Sequence, residues 1–300
     1  PRSTPLYSSA ASDVYKRQRL IDHQNCFLSY NNVDDYILLP LFFTPNVPIY
    51  LIKYRMLTTH LHIEASSYCN ARCPGCPRNG YGYPIAGLFK QQHLDLEKYS
   101  EILELYPDVK TITFCGNHGD PMMHPDIVKL CEPTNIKYDI ATKGSIGLLE
   151  SYVSLAKLGV EVTFGIDGLE DTNHLYRQGV IWNNLMNRVK KFIDAGGTAI
   201  WQFIKFQHNM DQIDEAKNYS EKLGFKTFNA IDVGRNFMPA IQSDKSISHW
   251  ILPPDKTAKP TNFDVDKYLQ MRIDPKTTYT SDRKISKISC EHLGGSTYVN

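Results

Sequence analysis

The chain has 300 residues, with 33 Lys and Arg against 32 Asp and Glu, a formal net charge of +1. Hydrophobic residues make up 42% and charged residues 22%, an ordinary globular composition that excludes a collagenous, low-complexity or disordered chain. The even charge argues against a dedicated nucleic-acid binder and against binding an anionic membrane by bulk charge.

The first methionine is Met56. Asp13-Val14-Tyr15-Lys16-Arg17-Gln18 is what GAT-GTG-TAT-AAG-AGA-CAG encodes, a string that resembles a transposon end used to build sequencing libraries. Residues 1–55 are therefore expected to be a non-native leader, adaptor followed by translated upstream DNA, and are set aside. Within them Tyr36–Ile52 is apolar, but Pro40, Pro45 and Pro48 interrupt it and leave no 18-residue membrane-spanning run. Without residues 1–55, which hold six basic and four acidic side chains, 27 basic and 28 acidic ones remain, a net charge of −1. That remainder is long enough for one full core.

Strand-like and helix-like segments alternate from Leu57 onward. Strands are predicted at Leu61–Ala65, Thr111–Cys115, Ile136–Ala141, Val160–Ile166, Thr198–Phe206 and Lys226–Ile231, all short and rich in β-branched or aromatic residues. Between the first two, Tyr99, Ile102, Leu103 and Tyr106 form an amphipathic helical stripe; after the fourth, Leu185, Val189, Phe192 and Ile193 form another. Gly159, Gly196-Gly197 and Gly224 fall where helices would end in a left-handed residue. Six β–α units with long crossovers predict an α/β fold with a parallel sheet, a partial (β/α)6 TIM-type barrel, with a doubly wound open sheet as the alternative. The expected domains are a core barrel over 56–239 and a C-terminal extension over 240–300, polar and irregular through 289.

The first predicted strand runs into Cys69-Asn70-Ala71-Arg72-Cys73-Pro74-Gly75-Cys76, which is Cys-x-x-x-Cys-x-x-Cys. Seven cysteines are too few for a disulfide scaffold of this length, and three crowded into eight residues read as a metal or cluster site in a reducing compartment. Three thiolates on a short loop can meet one face of an iron–sulfur cubane and leave its fourth iron open. The alternative is structural zinc, with a fourth ligand such as His93 or Cys115.

This motif after the first strand resembles the signature of the radical S-adenosylmethionine (SAM) enzymes, and the likeness covers about residues 57–235. It implies the metal ligands Cys69, Cys73 and Cys76, a [4Fe-4S] cluster, and SAM on the open iron. It further implies reductive cleavage of SAM to a 5′-deoxyadenosyl radical that abstracts a substrate hydrogen, with an electron donor such as flavodoxin or ferredoxin. A cytoplasmic location is expected, with no nucleic-acid or membrane partner. The aromatic residue usual before the third cysteine is Gly75 here.

In a parallel β/α barrel, function collects where the strands end at their C-termini. Gly116–Pro121, Thr142–Ser145, Asp167-Gly168, His208-Asn209, Asp232 and Arg235 all fall on that rim with the cysteine loop. Gly116–Pro121 resembles the superfamily's Gly-Gly-Glu-Pro element, with Asp120 for Glu, and implies SAM contacts from Gly119, Asp120 and Pro121. Thr142-Lys143-Gly144 resembles a Thr-Asn-Gly turn and implies Thr142. Phe164–Gly168 resembles Ser-Ile-Asp-Gly, with Gly165 for Ser, and implies Asp167. Arg177 matches an arginine that approaches the SAM carboxylate. Lone histidines such as His118, His124 and His208 are more often structural. Trp201, Phe203 and Phe206 are expected in the core, as are Cys115 and Cys131. No catalytic residue of this chain is assigned.

Cys290 and the following Gly294-Gly295 resemble the opening of a SPASM extension, which in relatives that modify peptides and proteins carries further cysteines and auxiliary clusters. None follows here, so a C-terminal truncation is expected. The reading is a radical SAM enzyme acting on a peptide or protein. Its alternatives are a radical SAM enzyme of small-molecule or cofactor biosynthesis, and a non-catalytic zinc- or cluster-binding module.

Overall fold

The computed structural model describes residues 28–29, 59–88, 91–233, 237–256, 262–273 and 297–299. The expected leader thus lies almost wholly outside the described residues, as do Arg235 and Cys290. Strands are β1 (Leu28–Ser29), β2 (His60–Ile63), β3 (Thr111–Phe114), β4 (Lys137–Thr142), β5 (Glu161–Gly165), β6 (Thr198–Ile204), β7 (Thr227–Ile231), β8 (Met238–Ile241), β9 (Ile247–Ile251) and β10 (Thr297–Val299). Helices are α1 (Leu96–Leu105), α2 (Ile127–Leu130), α3 (Leu149–Lys157), α4 (Asn173–Tyr176), α5 (Trp182–Asp194), α6 (Ile213–Leu223) and α7 (Val265–Ile273), with 3-10 turns at Pro121–Met123 and Gln207–Gln212.

Strands β2 to β7 lie side by side in chain order, every pair parallel. β10 adds in parallel at the outer edge of β2, and β1 pairs antiparallel with β10. Among the described residues no ladder joins β7 back to β2, so the six β/α units form a partial barrel open along one side. All six strands fall on the predicted segments, their ends shifted by one or two residues.

The period of two along each strand sorts residues onto two faces. Ile112 and Phe114, Tyr138 and Ile140, Val162 and Phe164, and Trp201 and Phe203 are buried in the core shared with the helices. Alternating with them are Thr111 and Thr113, Asp139 and Ala141, Glu161 and Thr163, and Gln202, which are half-exposed on the open face. α5 presents Leu185, Met186, Val189 and Phe192 to the core, the predicted stripe with Met186 completing it. α1 starts at an Asp95 cap, whose carboxylate accepts the Lys98 N–H at 2.6 Å. α6 ends at Gly224, whose φ of +89° lies in the left-handed region expected of a helix C-cap.

The C-terminal part is more ordered than its prolines suggest. β8 runs across the expected boundary at 239/240, is buried throughout, and pairs antiparallel with β9. Pro239 is tolerated because this two-stranded sheet consists only of edges. α7 then returns to the cysteine loop: Tyr268 stacks on Tyr81 at 4.5 Å, and Arg272 donates to the Pro77 carbonyl at 2.6 Å.

Candidate cysteine-cluster site

The cysteine loop leaves β2 and is held by three neighbouring loops of the same rim. Asp120, after β3, donates its N–H to the Tyr68 carbonyl at 2.8 Å. After β4, the Ser145 hydroxyl accepts from the Asn70 side-chain amide at 2.8 Å. After β5, the Gln178 carbonyl accepts the Arg72 N–H at 2.8 Å. Gly119 is where the loops after β2 and β3 touch: a Cβ there would lie 1.7 Å from the Ser66 carbonyl oxygen, so only glycine fits. Within the loop the Cys76 N–H reaches the Cys73 carbonyl at 2.9 Å, and Asn79 bonds the same carbonyl at 3.2 Å.

The sulfurs sit among donors and cations. The Ala71 N–H points to the Cys69 sulfur at 3.3 Å, and the Arg177 guanidinium lies 3.7 Å from the Cys73 sulfur. Burial pushes the Cys69 thiol up to about 11, with Asp120 adding to the rise and Lys143 opposing it. Burial and then Cys73 raise Cys76, while the Arg78 N–H and charge, and Lys143, pull it down. Without a metal these buried thiols favour the protonated form.

Asp120 is fully buried, and its carboxylate accepts from the Thr142 hydroxyl (2.8 and 3.0 Å), the Lys143 N–H (2.9 Å) and the Met122 N–H (3.0 Å). Asp120 and Thr142, both predicted to meet SAM, thus meet each other and clamp the loops after β3 and β4. Pro121 opens the 3-10 turn that Asp120 caps.

Asp167 is fully buried and pairs with Arg177 at 2.6 Å; its other oxygen accepts the Ile204 N–H at 2.7 Å. Burial alone would depress the Arg177 guanidinium, but Asp167 and then Cys73 more than offset it, and the net direction is upward. Gly165 makes room for this group: a Cβ there would come within 2.9 Å of an Arg177 nitrogen. The glycine standing where relatives have serine therefore has a steric reason here. Asn209, fully buried, ties the Asp167 and Ile204 carbonyls at 2.9 and 3.0 Å and accepts the Phe206 N–H at 2.7 Å. That last bond turns the chain out of β6 at Ile204 rather than at the predicted Phe206.

Other sequence candidates separate cleanly. His208 stacks on Phe206, and burial, then His249, pushes it down to about 4, so it is neutral. His124 is buried and bonds the Leu94 carbonyl. Trp201, Phe203 and Phe206 are fully buried packing residues, and Cys131 is buried behind the sheet. Cys115 donates to Glu64 at 3.2 Å. Glu64 was not singled out by the sequence, although its alternation with Leu61 and Ile63 marks it as an open-face residue.

The residues present fit an iron–sulfur group and its ligand. The donor set is three thiols with an N–H donor and three cations (Arg78, Lys143 and Arg177) around them. Buried polar atoms without partners, Asn70 Oδ1, Arg78 Nε and Glu64 Oε2, belong to the same rim. A zinc ion would need its ligands gathered at about 2.0–2.3 Å from one point. Among the described residues no three His, Cys, Asp or Glu side chains are gathered to hold one metal ion.

No family model matches the chain. Over 180 residues, 55% of this chain and 49% of the relative, it is 27% identical to the tungsten-containing aldehyde ferredoxin oxidoreductase cofactor-modifying protein of Pyrococcus furiosus. Among solved structures, Streptococcus suis SuiB bound to precursor peptide SuiA matches with a TM-score of 0.50 and 18% identity, over 76% of this chain and 47% of that one. The anSMEcpe enzyme with bound AdoMet matches with a TM-score of 0.48 and 17% identity, over 58% and 50%. The chain spans about half the length of these relatives. By fold and cysteine motif it is of the radical SAM kind. No helix of the described residues is long and apolar enough to cross a membrane.

Proposed function

We propose that this chain is the core of a radical SAM enzyme that binds a [4Fe-4S] cluster on Cys69, Cys73 and Cys76 and SAM beside it, and acts on a peptide or protein. The observation that carries this reading is the convergence of three rim loops on the cysteine loop. With SAM bound and an electron delivered by a flavodoxin- or ferredoxin-type donor, the cluster supplies a 5′-deoxyadenosyl radical for hydrogen abstraction. The chain's own residues position and shield that chemistry. Gly119 and Pro121 bring backbone to the sulfurs, Asp120 and Thr142 lock the loops, and Asp167 fixes Arg177 against Cys73. Arg177 offers its remaining N–H groups to the SAM carboxylate, a geometry suited to a guanidinium. The peptide substrate is supported by the SPASM-like Cys290 and by SuiB, whose structure holds a precursor peptide. The curated relative, a cofactor-modifying protein, favours a second reading in which the substrate is a small molecule or a cofactor.

Reconstituting the chain without oxygen, counting iron and sulfide, and recording the spin-resonance spectrum of the reduced protein with and without SAM tests the binding claims. About four irons per chain and a spectrum altered by SAM are expected. Zinc in place of iron, or a spectrum indifferent to SAM, would contradict them.

A further inference from the structure

Three carboxylates belong to the rim, and two are fully used. Asp120 takes hydrogen bonds on both oxygens, and Asp167 is divided between Arg177 and the Ile204 N–H. Glu64 is different. The Cys115 N–H bonds the Ile63 carbonyl at 3.0 Å, so the β2–β3 ladder continues past the strand ends and sets Glu64 beside Cys115 on the open face. One Glu64 oxygen is fixed by the Asn117 N–H at 2.9 Å and the Cys115 thiol at 3.2 Å. The other is buried and has no partner. Lys143 is close enough to favour the ionised carboxylate, but its ammonium hydrogen-bonds the Gly116 carbonyl at 3.1 Å.

We propose that this half-occupied carboxylate is a recognition point for substrate, its free oxygen accepting hydrogen bonds from a cationic nitrogen, a primary ammonium or a guanidinium, of the molecule bound over the open face. A carboxylate serving structure alone would be paired as Asp120 and Asp167 are, because a buried polar atom without a partner is destabilising. Here one oxygen is pinned so that the other keeps a fixed position, the arrangement a specificity group needs. A hydrogen-bonding cation supplies both the missing donor and the missing countercharge. Burial has pushed Glu64 up to about 7, the direction expected of an acid whose countercharge is absent. The inference rests on the reading that the open face receives substrate.

The test uses the full chain with its cluster and three probes of equal length: butylammonium, butyrate and butanol. Saturation-transfer difference NMR reads weak binding from the probe's own signals. Butylammonium is expected to bind and the other two are not, and Glu64→Gln should weaken butylammonium about tenfold, the worth of one charge-assisted hydrogen bond. Thermal unfolding establishes that the variant is folded; if it is not, Glu64→Asp, which withdraws the oxygen but keeps the charge, takes its place. Butylammonium that binds no better than butanol to the wild type, or equally well to a folded variant, overturns the proposal. Iron content is measured on the same wild-type sample. Iron without butylammonium binding sinks this inference alone, whereas butylammonium binding without iron sinks the cluster reading and leaves this one standing.

Discussion

Asp167 holds Arg177 where water cannot reach, and the pair is stable only as a pair. Removing one partner of a buried ion pair leaves an uncompensated charge, which costs about 3–5 kcal/mol. Asp167→Asn keeps an acceptor for the Ile204 N–H but loses the charge. Its denaturation midpoint is expected to fall by about that amount at unchanged m-value. Glu64 gives the opposite sign. Its carboxyl is raised from 4.5 to about 7 by burial, so between those values the folded protein keeps a proton that the unfolded chain has lost. Stability from this group therefore falls as pH rises through that window and stays low above it, by about 3 kcal/mol. Glu64→Gln, which cannot ionise and can still accept from Asn117, should unfold like wild type near pH 4.5 and be the more stable protein at pH 8. Equal pH profiles for the two would contradict the burial of Glu64. At this scale the sequence was legible where spacing carried the signal: three cysteines, one Asp-Gly, one arginine nine residues beyond Gly168. It was not legible where the partner is remote. Nothing near Asn209 in the chain says that it braces Asp167, and nothing near Glu64 says that Cys115 lies beside it.

The elements were legible because each strand presents one apolar face to the helices, so period and length agree over most of the sheet. Trp201 shows what that face contributes. It is fully buried and donates its indole N–H to the Ile166 carbonyl at 2.8 Å. Trp201→Ala should cost about 3–5 kcal/mol in a urea titration. The loops are less forgiving than their composition implies. Gly119→Ala drives a methyl carbon into the Ser66 carbonyl, and the loop after β3 must move away from the cysteine loop. That variant should fold, with a melting temperature close to wild type, yet retain well under half of the iron; full iron retention would show that the contact does not position the thiols. The hairpin β8–β9 and helix α7 were not legible. Their prolines and charges suggest irregular chain, and only the tertiary partners Tyr81, Pro77 and Leu175 make the segment ordered. Short elements stabilised by packing rather than by propensity leave little periodic trace.

At the level of the molecule, six strands point their C-terminal ends at one rim, and the three cysteines, two fully paired carboxylates and one half-paired carboxylate all lie there. The helices seal one face of the sheet, the open face stays polar, and the gap between β7 and β2 leaves a side for a large substrate to enter. Chain length bears on the same point, since relatives about twice as long carry sequence beyond this core. The most direct measurement is the product of SAM cleavage. The reconstituted chain, given SAM and dithionite without oxygen, is expected to form 5′-deoxyadenosine, and Cys73→Ala, folded but without its buried thiol, is expected to form none. Product that persists in Cys73→Ala, or its absence from a wild type that carries its iron, would contradict the account.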